Sequence, residues 1–144
     1  MPAAVKLREE LGGEEAIRNY CQDVVSQGGK RVAEILGTYV MDNRTKTLSQ
    51  CAFSNVKLPL EFKRDGEAEE IHHFSPKDEA KIRQWINSTA LNEFDTYPQI
   101  FFHAGAMWVR LSGQIYLGFK DFEWLGYKLK ELCDRLNENP KLVA

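Results

Sequence analysis

The stretch FFHAGAMWVRLSGQIY, residues 101–116, holds more recognition chemistry than any other part of the chain. It begins in a strand of β-formers at 99–103, turns at Ala104, Gly105 and Ala106, and continues as an alternating strand at 107–116. Alternation sends Met107, Val109, Leu111, Gly113 and Ile115 to one face, a mostly aliphatic set suited to burial. Trp108, Arg110, Ser112, Gln114 and Tyr116 go to the other, which lines up an indole, a guanidinium, a hydroxyl, an amide and a phenol. Arg110 is the sharpest of these, because its planar fork matches a carboxylate or phosphate bidentately. Two readings are open for it. It pairs with an Asp or Glu of its own fold, or it holds an acid that comes from outside, with Trp108, Ser112 and Gln114 as accompanying substrate-binding groups. His103 and Tyr116 are the candidate acid/base groups of the same hairpin. An edge or core histidine is the plainer identity for His103.

Elsewhere the chain is sparing with chemistry. Ile71-His72-His73-Phe74 reads as a short edge strand, but adjacent strand residues face opposite ways, so His72 and His73 do not share one ion. There is no C-x-x-C or H-E-x-x-H spacing, no complete phosphate loop and no G-x-S-x-G elbow, so no metal site is expected. Cys21, Cys51 and Cys133 are odd in number and far apart, which reads as reduced thiols. The net charge of −2 offers no field for nucleic acid or an anionic membrane. Neither a long apolar run nor a leader-like N-terminus is present, and a cytoplasmic protein is the expectation.

The elements that must hold the hairpin follow from periodicity. A short helix at 5–11 is stopped by Gly12-Gly13. A longer one at 14–39 places Ile17, Cys21, Val24, Val32, Ile35, Leu36 and Tyr39 at helical spacing, with Gly28-Gly29 implying a kink or a close backbone approach. Residues 41–50 are turn-like, 51–60 read as a strand, and 61–70 as a solvated loop. Ser75-Pro76-Lys77-Asp78 opens a helix to about residue 90, whose buried stripe is Ala80, Ile82, Trp85 and Ile86. Asp121 caps a last helix at 122–137. The order α-β-(β)-α-β-β-α in 144 residues predicts one α+β domain, a two-layer sandwich with helices on one face of a small, mainly antiparallel sheet.

The segments LGGEEAIRNYCQDVVSQGGK (11–30), WINSTALNEFDTYPQIFFHAG (85–105) and WVRLSGQIYLGFKDFEWLG (108–126) resemble, in order, the C-terminal part of pyridoxal-phosphate-dependent enzymes of aminotransferase class V. The nearest group is the fungal branch similar to isopenicillin N epimerases and cysteine-desulfurase-like lyases. The resemblance implies the small domain of a type I fold, which packs over a large cofactor domain. It also implies that Arg110, in the pattern VRLSGQIY, holds a substrate α-carboxylate. Leu117 departs from the asparagine common there, so that side chain's contacts do not carry over. The Schiff-base lysine, the aspartate under the pyridine nitrogen and the phosphate cradle belong to the large domain. Lys57, Lys63 and Lys120 have no comparable setting, so no productive pyridoxal phosphate binding is expected of this chain.

Three functions follow. The first is a truncated small domain that binds a carboxylated small molecule through Arg110 and associates with itself, as a homodimer, or with a cofactor-bearing chain. The second is a cofactor-independent enzyme of a biosynthetic pathway, acting on an acidic metabolite with His103 or Tyr116 as acid/base. The third is a fragment without a role.

Overall fold

A computed structural model describes residues 2–63 and 74–143. Its elements are α1 (Pro2–Glu10), α2 (Gly13–Leu36), β1 (Phe53–Lys57), α3 (Glu79–Phe94), β2 (Gln99–His103), β3 (Ala106–Ser112) and α4 (Phe119–Glu138), with 3-10 turns at Pro76–Asp78 and Pro140–Val143. The hairpin forms as its turn chemistry dictates. Ala104 (φ 49°) and Gly105 (φ 73°) are both left-handed, the two-residue conformation whose twist matches the flanking strands. β1 pairs antiparallel with the opposite edge of β3, giving a three-stranded sheet in the order β1-β3-β2. Arg110 therefore lies on the central strand.

One sheet face is apolar and covered. Val56, Ile100, Met107, Val109 and Leu111 are buried there and share one core with Val25, Val32 and Leu36 of α2, Ile82 and Ile86 of α3, and Leu129, Leu132 and Leu136 of α4. Each such side chain contributes roughly 1.5–3 kcal/mol by leaving water. This is the α+β arrangement that the element order predicts. Gly28-Gly29 does not break α2, and it marks a close approach. A Cβ on Gly28 would lie 2.4 Å from Phe122 Cγ of α4, and one on Gly29 would lie 2.1 Å from Ser54 Oγ of β1.

Several boundaries differ from expectation. α2 stops at Leu36, where Gly37 adopts a left-handed C-cap (φ 66°), so Tyr39 lies beyond it and is exposed. α3 continues to Phe94, and Ala80 faces solvent instead of joining its stripe. Gly118, not Asp121, caps α4; the Asp121 carboxylate accepts from the Gly118 amide at 2.7 Å. The largest correction is to the second strand of the hairpin, which ends at Ser112, not Tyr116. At Gly113 the chain meets α2 so closely that a Cβ would fall 2.0 Å from the Cys21 carbonyl oxygen, and it turns away. Phe74, bridged in parallel to Phe62, is the described end of the proposed edge strand; His72, His73 and most of the 61–70 loop lie outside the described residues.

Candidate functional site

The uncovered face of the sheet is built from Phe53, Asn55 and Lys57 of β1, Trp108, Arg110 and Ser112 of β3, and Gln99, Phe101 and His103 of β2. Arg110 sits at its middle, with Asn55 opposite on one side and Gln99 on the other. Its Nε donates to Asn55 Oδ1 at 3.2 Å. The guanidinium stands over the Phe53 ring at 5.7 Å and the Phe101 ring at 5.4 Å from the centroids. Two aromatic faces orient it by cation–π attraction without neutralising it. Among the described residues no acid pairs with Arg110, and its two terminal nitrogens make no hydrogen bond. The internal-ion-pair reading therefore has no partner there, and the fork faces solvent.

The other predicted groups separate into three places. Ser112 shares the face of Arg110, at the end of β3 and opposite Phe53. Trp108 shares the face but is only 5% exposed. Its indole N–H donates to the His103 carbonyl at 3.0 Å, and its ring meets Tyr39 edge-on at 5.7 Å. Trp108, expected as a substrate-binding group beside Arg110, instead braces the hairpin turn with its donor already used. His103 is exposed on the same face, but four residues beyond the Gln99 position that pairs with Arg110. At about 3.4 Å per residue this is roughly 14 Å along the strand. A small acid held by Arg110 does not reach it.

Gln114 and Tyr116 are corrected most, because they are not on the strand. They lie in a turn closed by the Leu117 amide on the Gln114 carbonyl at 3.0 Å, and the Tyr20 hydroxyl pins that turn by donating to the Leu117 carbonyl at 2.7 Å. Both line a separate hollow of about 400 Å³ against α2, together with Arg8, Glu14 and Arg18. The hairpin thus presents an exposed guanidinium without an acid/base group beside it. Phe53, Asn55 and Phe101 are the neighbours that sequence reasoning missed. Alternation in 51–60 places Phe53 and Asn55 on one face, but no local signal says that β1 pairs with β3.

Among the described residues, no helix is long and apolar enough to cross a membrane, and no group of three or more His, Cys, Asp or Glu could hold one metal ion.

The chain resembles named enzymes along nearly its whole length. The L-cysteine desulfhydrase-like protein lolT1 of Epichloe uncinata is 27% identical over 94% of this chain and 32% of its own length. The related lolT2 of the same fungus is 28% identical over the same shares. The hercynylcysteine sulfoxide lyase of Schizosaccharomyces pombe (strain 972 / ATCC 24843) is 28% identical over 90% of this chain and 28% of its own length. No family model matches. The likeness to the desulfurase-like lyase branch thus extends from the quoted motifs to the chain as a whole. The chain spans about a third of the length of the curated relatives it matches.

Pyridoxal phosphate is the cofactor this likeness implies, and the residues described here do not fit it. A Schiff-base lysine needs a desolvated pocket that lowers its pKa. Among the described residues Ser54 is the one buried polar side chain, so no lysine has such a setting. Lys57 pairs with Glu61 at 3.6 Å and lies over the Tyr39 ring.

Proposed function

We propose that this chain is the carboxylate-holding small domain of a lyase of the cysteine desulfhydrase type, and that the cofactor is held by protein outside these residues. The observation that carries this is the guanidinium of Arg110. It is fixed at the centre of an uncovered sheet between two aromatic rings, with its terminal nitrogens unused by any described residue. Its part is to bind and orient. The fork grips the two oxygens of an amino acid carboxylate, and Asn55 holds the guanidinium in the strand direction.

An exposed guanidinium in water binds an anion weakly, because an exposed ion pair is worth about 0–1 kcal/mol. Covering the sheet with a second protein layer lowers the local dielectric and strengthens the same contact several-fold. The uncovered face is thus both the ligand site and the docking face for a cofactor-bearing partner or second copy.

Titration of the chain with L-cysteine, followed by amide chemical shifts, tests the reading. Shifts around Arg110, Asn55 and Phe101 are expected, with an affinity in the millimolar range or weaker, about −4 kcal/mol at most. Arg110→Ala should abolish them. Arg110→Lys should lose nearly as much, because a point charge cannot make the bidentate contact. Wild-type binding by both variants would make Arg110 a surface residue without a ligand.

A further inference from the structure

We infer a second, separate anion site in the recessed hollow of about 260 Å³ between α2, the 40–50 segment and β1, suited to a phosphate group. It goes beyond the carboxylate reading and does not depend on it.

At the base of the hollow is Ser54. Its residue is 7% exposed, the one buried polar side chain among those described, yet its hydroxyl hydrogen-bonds to none of them. It is there because Gly29 lacks a side chain; any Cβ at that position would fall 2.1 Å from Ser54 Oγ. The Oγ itself is not sealed from solvent, so its O–H is open to a polar occupant of the hollow. Ser26 adds a second hydroxyl to the lining, while that of Ser49 already donates to the Lys46 carbonyl at 3.1 Å.

The charge is supplied at the mouth. Lys30 of α2 and Lys46 both line the hollow, and neither is ion-paired to a described residue. Lys46 is held in a left-handed conformation, φ 53°. Asn43 fixes it: its carbonyl takes the Lys46 amide at 3.0 Å, and its side-chain oxygen takes the Thr47 amide at 2.8 Å. Asp42 also lines the hollow, and its Oδ1 accepts from the Asn43 amide at 2.8 Å. Two ammonium groups therefore face one carboxylate. Two hydroxyl donors and two ammonium groups suit a tetrahedral oxyanion with oxygens in several directions better than a planar carboxylate with two. Phe53 lines this hollow and its ring also lies 5.7 Å from the Arg110 guanidinium, so the two sites are neighbours with different linings.

The test is an amide-shift titration of the full chain with inorganic phosphate and, separately, a simple phosphomonoester, each against sodium chloride of equal ionic strength. Saturable shifts at Ser26, Lys30, Lys46, Ser49 and Ser54 are expected. Lys30→Gln with Lys46→Gln should weaken the apparent Kd about tenfold or more, and Ser54→Ala severalfold. Both lysines are exposed, so circular dichroism of the double variant should match wild type; the single lysine variants give the same readout in smaller steps. Tighter binding of the ester assigns the hollow to an organic phosphate, and tighter binding of the free ion assigns it to phosphate itself. The inference fails if chloride gives the same shifts, if the shifts cluster around Arg110, or if the double variant binds as wild type. Loss of cysteine binding at Arg110 with phosphate binding intact would overturn the carboxylate reading alone.

Discussion

The three thiols show how strongly position governs the chemistry of one residue type. Cys133 is fully buried among the core leucines of α4, and burial pushes its thiol far above the ordinary range. Cys21 is 7% exposed against the turn after β3. Cys51 is exposed, its sulfur near the carbonyls of Leu48 and Phe53 at 3.3 and 3.6 Å. An aromatic disulfide reagent at pH 8 should therefore label one thiol per native chain quickly and the other two only in denaturant. Cys51→Ser should remove the fast phase. Two fast thiols in the native chain would contradict the packing of α2 against the 113–117 turn. Arg110 gives the complementary case. Its fork and its place on a strand are legible in one dipeptide step, Val109-Arg110, between apolar neighbours. Whether an acid of the same fold already occupies it depends on which strand lies alongside, and that strand contributes the neutral Asn55.

Among the elements, α2 is set by the glycines that let other backbone come close. In an isolated helix Gly28→Ala should stabilise by about 1 kcal/mol. Here the new methyl would sit 2.4 Å from Phe122 Cγ, and overpacking of that kind costs roughly 1–3 kcal/mol. A net loss in urea midpoint is the expected result, partly restored by Phe122→Leu in a double-mutant cycle. Gly113→Ala should cost more than Gly28→Ala, because its clash is with the Cys21 backbone carbonyl, which cannot swing aside. Equal midpoints for Gly113→Ala and wild type would mean that β3 does not end for the reason given. The same contact explains the misplaced strand boundary. The alternation from Met107 to Tyr116 is genuine in the residues, but a helix carbonyl 92 positions earlier intercepts the chain at Gly113.

The molecule as a whole is held by its shared core and by a few ion pairs that tie the helices together. Arg135 of α4 reaches Glu93 of α3 at 2.8 Å and Glu131 of its own helix, while Arg31 of α2 meets Glu123 of α4 at 2.8 Å. The hydrogen bond from Arg135 holds the Glu131 carboxyl below the usual 4.5, and the one from Arg8 does the same for Glu14. A carboxyl depressed in the folded state stabilises the fold above its unfolded value and loses that contribution as pH falls through the folded value. The urea midpoint should thus stay level from neutral pH to about pH 5 and fall below about pH 4.5, less steeply in Arg135→Ala and in high salt. Because these groups are exposed the effect is small beside core burial, and a midpoint that rises on acidification would reverse the assignment.

What the residues settle on their own is local. Period-two and period-3.6 burial patterns mark the three strands and four helices of the described residues to within a few positions, the Ala104-Gly105 step makes the hairpin, and Arg110 falls on a strand face. Those features depend on neighbours in sequence, so the chain displays them in any register of folding. The strand order β1-β3-β2, the burial of Trp108, the stop at Gly113, the fork of Arg110 unclaimed by any described residue and the hydroxyl of Ser54 left open beside Gly29 depend on contacts between residues far apart in the chain. They follow from how surfaces of fixed shape fit once the core closes, and no short-range pattern encodes that fit.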